Sequence, residues 1–274
     1  MEQPAPEERE ELDFLRRTKR RHRQVVAFSV AAALLVVTAI LLVRTFLIGS
    51  PLPGNQVNWY ESTVNRNELT LRGTVADESR GCSSVDCREE DGVVTVTVNA
   101  TRRSSFHGEV IQATYTASEE IRQVRVGDQV IWDRGETIIP WVRSVYATRH
   151  PYVGDVSANA RTAQALGLSD VLGEWSSELQ TGKEPFGWTI QIKTEVPAEK
   201  QKTWEQYLRS NACVLLAVID NLGEVCYTYN VDDNPQTMKV TAEEAANFAG
   251  QDIKTCGESP RDLQELMGKV KPIA

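Results

Sequence analysis

Histidine is scarce in this chain: three occur in 274 residues, at positions 22, 107 and 150. There is no HExxH, no His/Cys cluster and no DxDxDG loop, so the sequence argues against a protein-made metal site, and no cofactor is expected. Cysteine is also sparse. The five, at 82, 87, 213, 226 and 256, are too few for a disulfide-dense scaffold and wrongly spaced for a four-Cys zinc site. Nucleophile sets are missing too: no GxSxG, no Ser-x-x-Lys with its partners, no Cys–His–Asn arrangement. Thr181-Gly182-Lys183 lacks the upstream glycine and strand of a phosphate loop and reads as a turn. The carboxylate pairs Asp220/Glu224 and Glu178/Glu184 have the spacing of solvated surface rather than of a glycosidase cleft. The reading is therefore not an enzyme. Basic charge is in deficit, with 30 Lys/Arg against 38 Asp/Glu, which removes nucleic acid as a partner of the whole molecule. A 41% hydrophobic content excludes wholesale disorder and a polytopic transporter.

From Val25 to Val43 the chain has no charge at all, and Ser29 and Thr38 are its only polar residues. About 20 apolar residues, rising about 1.5 Å each, cross a hydrocarbon core. The apolar run resumes after Arg44 to Ile48, and Arg44 can snorkel to the far interface. Membrane lipid is thus the expected partner of residues 25–48. Six cations (Arg16, Arg17, Lys19, Arg20, Arg21, Arg23) precede the span, and none follows Arg44 until Arg66. The positive-inside rule then puts the N-terminus in the cytoplasm and residues 49–274 outside, on the cell membrane as a single-pass protein. A cleaved signal peptide would have a shorter apolar run and a small-residue cleavage site, which Arg44–Ile48 is not. Residues 1–24 hold 7 of the basic and 6 of the acidic residues, leaving 22 basic and 32 acidic beyond Arg44, a net of −10.

Residues 1–24 form a basic cytoplasmic tail too short to fold alone, with Leu12, Phe14 and Leu15 as a small apolar cluster. The segment Glu11-Leu12-Asp13-Phe14-Leu15-Arg16-Arg17-Thr18-Lys19-Arg20-Arg21-His22-Arg23, continuing into the span and ending Phe46-Leu47-Ile48-Gly49-Ser50-Pro51, resembles the juxtamembrane and membrane portion of membrane-anchored anti-sigma factors with a zinc-finger head. The resemblance implies a sigma factor as cytoplasmic partner. The chain departs from that pattern in lacking the His-x3-Cys-x2-Cys head.

Beyond a linker at 49–56, residues 57–140 alternate as strands. Examples are Glu68–Val75, Val93–Val98, Glu109–Thr116 and Ile121–Trp132, with turns at Asp91-Gly92 and Gly127-Asp128. Five or so short strands predict a small antiparallel β-sandwich-like module. The runs ELTLRGTVADESR, DGVVTVTV and VGDQVIW resemble an all-β module found outside the membrane in uncharacterised Gram-positive envelope proteins. Residues 141–274 interleave helix and strand. A helix capped by Asp155 or Ser157 runs through Leu166, and a strand covers Trp188–Val196. A buried helix at Trp204–Asn221 is followed by a strand at Val225–Val231. A capping box at Thr241–Glu244 opens another helix, and an amphipathic helix runs from Pro260 to about Val270. The fold class is α+β, with a transmembrane helix, a β module and a C-terminal α+β domain.

The C-terminal half carries four ordered motifs: Pro151-Tyr152-Val153-Gly154-Asp155, Glu178-Leu179-Gln180-Thr181, Glu184-Pro185-Phe186-Gly187 and Asn211 through Asn221. Over roughly 145–256 they resemble a Gram-positive extracytoplasmic domain of unknown function that usually follows one membrane helix. That family brings no activity to carry over. Candidate binding residues lie on the loops around Pro151–Asp155 and Glu178–Gly187. Tyr152, Phe186 and Trp188 would anchor a partner, Gln180 and Thr181 would hydrogen-bond it, and Gly154 and Gly187, with φ > 0, would let backbone approach it. The competing account is that they shape turns and pack a sheet. Cys82 and Cys87 are candidates for a bridge that pins their loop. Cys213 reads as an inert core thiol, and whether Cys226 pairs with Cys256 stays open. Together these features describe a non-enzymatic envelope protein, acting as a sensor or interaction partner in envelope signalling. The alternative is a cell-wall or ligand-binding ectodomain with no signalling role.

Overall fold

The computed structural model of the chain describes Val26 and residues 28–272. The cytoplasmic tail, its apolar cluster and the segment that carries the juxtamembrane resemblance lie outside these residues. Helix α1, Phe28–Ile48, is long and apolar enough to cross a bilayer, and none of its side chains is buried in the protein. An apolar helix exposed all round is matched by hydrocarbon rather than water. Its last turn, Arg44–Ile48, widens into a π-helix that Gly49 closes at φ +80°, its N–H reaching Arg44 O.

The expected linker is instead structural. Ser50–Pro51 forms β1, paired antiparallel with Ala100 and Asn99, and Leu52 is buried with its N–H on Val98 O. Proline is tolerated there because β1 is short and marginal to the sheet. The β module then runs β2 Val57–Asn65, β3 Glu68–Val75, β4 Arg80–Glu90, β5 Val93–Arg102, β6 Val110–Thr116, β7 Gln123–Val126, β8 Gln129–Asp133 and β9 Glu136–Thr137. One sheet follows β1-β5-β7-β8-β9 with β4 on the free side of β5, and the second is β2-β3-β6. Leu69, Leu71 and Ile111 of the second sheet meet Val94, Val96, Val98 and Val124 of the first in a common core. The sandwich has more strands than the sequence suggested and is not purely antiparallel, since β5 and β7 pair parallel. Asp91-Gly92 is the expected turn, both residues at positive φ, the type I′ geometry that matches strand twist.

The C-terminal part comprises α2 Pro140–Tyr146, α3 Val156–Ala165, α4 Leu168–Leu172, β10 Trp175–Gln180, β11 Phe186–Val196, α5 Gln201–Val218, β12 Leu222–Val231, β13 Asn234–Thr241, α6 Ala242–Ala249 and α7 Pro260–Val270. The sheet order is β10-β11-β12-β13, with β11 and β12 parallel and α5 as their crossover. Asp155 caps α3, Thr241 and Glu244 close the capping box of α6, and Ser259 caps α7 ahead of Pro260. From Ala212 onward α5 is buried all round, as its unbroken apolar stretch requires. The two parts share β8: Val130 belongs to the C-terminal core and Ile131 to the sandwich core.

Candidate functional site

The structure brings the two sequence-predicted loops together. His150 makes a parallel bridge to Ile219, its N–H reaching Val218 O. Asp220 N–H donates to His150 O, Asn221 N–H to Pro151 O, and Val153 N–H to Asn221 Oδ1 at 2.7 Å. Both ring nitrogens of His150 face oxygens, Thr148 O and Asn159 Oδ1, each at 2.9 Å. The loop is thereby tied to the turn that leaves α5. A Cβ on Gly154 would lie 3.7 Å from Thr181 Cγ2, so the 151–155 loop sits against the hairpin joining β10 and β11.

Not all candidates point outward. Tyr152 is 66% exposed, and Gly154, Gln180 and Thr181 are exposed. Gln180 ends strand β10, opposite Gly187, rather than lying in a loop. Phe186 is half-buried and packs on the core. Trp188 is 1% exposed, its ring centroid 6.5 Å from that of Trp175. It fills the core beneath β11 and is withdrawn from the candidate surface, because strand alternation turns it inward. Gly154 and Gly187 do not use positive φ. Gly187 is small because its neighbour strand is close: a Cβ there would sit 3.2 Å from Glu224 Cγ.

Beneath this rim, Lys254 donates from Nζ to the carbonyls of Leu216 (2.6 Å), Ile219 (2.8 Å) and Leu222 (2.7 Å). These include orphan acceptors at the C-terminus of α5, where a cation also meets the negative end of the helix dipole. Burial pulls the lysine down to about 8, against the opposing charges of Asp220 and Asp252.

The bridge expected between Cys82 and Cys87 does not form. Both lie on β4, and both are free thiols. Five steps along an extended strand separate them by about 15 Å, while a disulfide needs Cα atoms within about 7 Å. Burial raises both thiols above their ordinary range, Asp86 adding to the effect at Cys87. Cys213 is fully buried in α5, and burial pushes it up to about 11. Among the described residues no group of three or more His, Cys, Asp or Glu gathers as metal ligands would.

A second surface was not legible in the sequence. Phe248, on α6, is 56% exposed and Arg209 of α5 stacks over its ring at 5.4 Å. On one side lies a cleft of about 510 Å³ reaching Lys202, Glu205, Tyr207 and Lys271; on the other lies one of about 220 Å³ reaching Lys239 and Glu244. Phe248 is therefore a ridge between two hollows, with four cations and two carboxylates lining them, one of the cations, Lys239, being ion-paired with Glu224. The signal was its phase: Ala245 and Ala249 mark the buried stripe of α6, and Phe248 falls off it.

No curated protein and no solved structure matches the chain. Residues 145–241, from the end of α2 through β13 and so including the loop rim and Arg209, match a family described as a domain of unknown function (DUF4825).

Proposed function

We propose that this is a non-enzymatic, single-pass protein of the bacterial cell envelope, with its N-terminus in the cytoplasm, whose ectodomain binds a protein partner. The observation that carries the binding reading is the Phe248 ridge, with Arg209 over its ring and a cleft on either side. An exposed aromatic paired with arginine between hollows is the composition of a binding hot spot. The surplus of cations there, on an acidic chain, fits a partner with an apolar anchor flanked by carboxylates. Charge bias before the span supports the orientation, and likeness of that segment to membrane-anchored anti-sigma factors supports a signalling role for the tail.

The test is site-specific crosslinking in membranes. Phe248→Ala with Arg209→Ala should leave the melting temperature nearly unchanged and abolish capture of the partner. Retained capture by the folded double variant would sink the ridge as the docking site. The packing of Thr181 against the Gly154 loop beside exposed Tyr152 favours a second reading, in which the rim binds. There Gln180→Ala with Thr181→Ala is the variant that loses the partner. Deleting residues 1–24 separates signalling from ligand capture alone, since only a signalling protein loses its downstream response.

A further inference from the structure

Where α1 meets the sandwich, a cleft of about 320 Å³ is lined by Arg44, Thr45, Gly49, Ser50, Arg80, Ala100, Thr101 and Arg102. Three arginines line it and no lining residue is acidic, although the chain beyond the span is strongly acidic. The helix end is held rigidly: the Ser83 hydroxyl donates to Ile48 O at 2.7 Å, and Arg80 Nη2 reaches Ser50 Oγ (2.8 Å) and Ala100 O (3.0 Å).

The strand register sets which end of the sandwich faces the bilayer. Because β1 runs antiparallel to β5, α1 departs in the direction in which β5 runs out past Arg102. The loops at that end are 76–79 and 103–109, tied to each other by Arg103 N–H on Ser79 O. Phe106, at the tip of the second, is 90% exposed. Of the carboxylates in these two loops, Glu109 and Asp77 are engaged, and Glu78 is exposed to solvent. Glu109 pairs with Arg103 at 2.9 Å, and Asp77 accepts from Ser79 N–H and Oγ. Arg44 and Arg102 have no carboxylate partner among the described residues.

The geometry points to a headgroup site: the cleft takes the phosphate of an anionic phospholipid from the leaflet where α1 emerges, and Phe106 dips into the interface beside it. This rests on the reading of α1 as a membrane anchor. Arginine suits the role because its planar fork matches phosphate oxygens. Arg44, four residues from the end of α1, lies at headgroup depth, while Arg80 and Arg102 approach from the protein side.

The experiment uses the full chain. Flotation with phosphatidylcholine vesicles first tests the anchor; a chain that does not float overturns both readings. For a chain that floats, native mass spectrometry in micelles holding equal phosphatidylglycerol and phosphatidylcholine reads the bound lipid. Phosphatidylglycerol should be retained preferentially. Each arginine near an anionic surface is worth about fivefold, so Arg44→Gln with Arg102→Gln should cut that preference by about 25-fold. Arg80 is left in place because it ties β1 to β5. Equal retention of the two lipids by the wild-type chain overturns the headgroup site and leaves the anchor standing. Displacement of the lipid by soluble glycerol 3-phosphate overturns it as well, by assigning the cleft to a free phosphate ester.

Discussion

At the scale of single residues, alternation explains both the successes and the errors. Trp188 and Gly187 are neighbours on β11 and both buried, one filling the core and the other making room for Glu224. A motif reading grouped them with Gln180 and Thr181 because proximity in sequence says nothing about which face a side chain takes. The same blindness produced the Cys82–Cys87 bridge. Gly81-Cys82-Ser83-Ser84 has loop composition, yet β4 pairs with β5 along its whole length, a bulge between Cys82 and Ser84 absorbing the irregularity. The structure makes a definite statement about these thiols. Digestion of the unreduced protein after alkylation in denaturant should give the peptide 81–88 with both cysteines modified. A peptide that accepts alkylating reagent only after reduction would contradict the strand assignment.

At the scale of elements, what could be read locally was read. The caps of α3 and α6 rest on single side chains at fixed offsets from the helix start, α7 is marked by Pro260 at its first position, and α5 declares itself by an apolar run too long for its surroundings. Strands whose own residues depart from the alternating pattern do not announce themselves, even where the partner is the next strand in sequence. In β13, Pro235 disguises a strand, and its turn uses Asp232-Asp233 at positive φ instead of a glycine pair. An edge position makes that proline harmless. In β4, charged outward residues hide the alternation. The Lys254 cap was equally invisible, because nothing near position 254 foretells that the carbonyls of α5 and β12 will converge on it. Lys254→Met should therefore destabilise by about 3 kcal/mol, since charged hydrogen bonds to partly buried carbonyls are lost with no replacement. That corresponds to a fall in melting temperature of roughly 5–10 °C for a chain of this size, measurable by circular dichroism. A change of less than about 1 kcal/mol would show that water satisfies these carbonyls and that the lysine is not the element holding α5 to β12.

At the scale of the molecule, the sandwich and the α+β part are not beads on a string. Strand β8 sends Val130 into one core and Ile131 into the other. Around it, Arg134 Nη2 donates to Ser259 Oγ at 2.6 Å and pairs with Asp262 at 3.3 Å, and Arg261 Nη1 donates to Arg134 O. Gln264 closes the seam from α7: its Oε1 accepts from Ile139 N–H at 2.9 Å, and its Nε2 donates to Thr137 O at 3.2 Å. A strand buried on both faces cannot leave one core without exposing apolar surface to the other, so unfolding of either part should propagate. The full chain in detergent is expected to give a single calorimetric transition for its folded portion. Arg134→Ala with Gln264→Ala removes the polar seam but leaves Val130 and Ile131 in place. It should lower stability by about 1–3 kcal/mol and broaden or split the transition. Two resolved transitions in the wild-type chain would refute the coupling. They would also weaken any mechanism in which a partner seated at the Phe248 ridge is felt at α1, because β8, which enters both cores, leads through β7 and β5 to the foot of the helix.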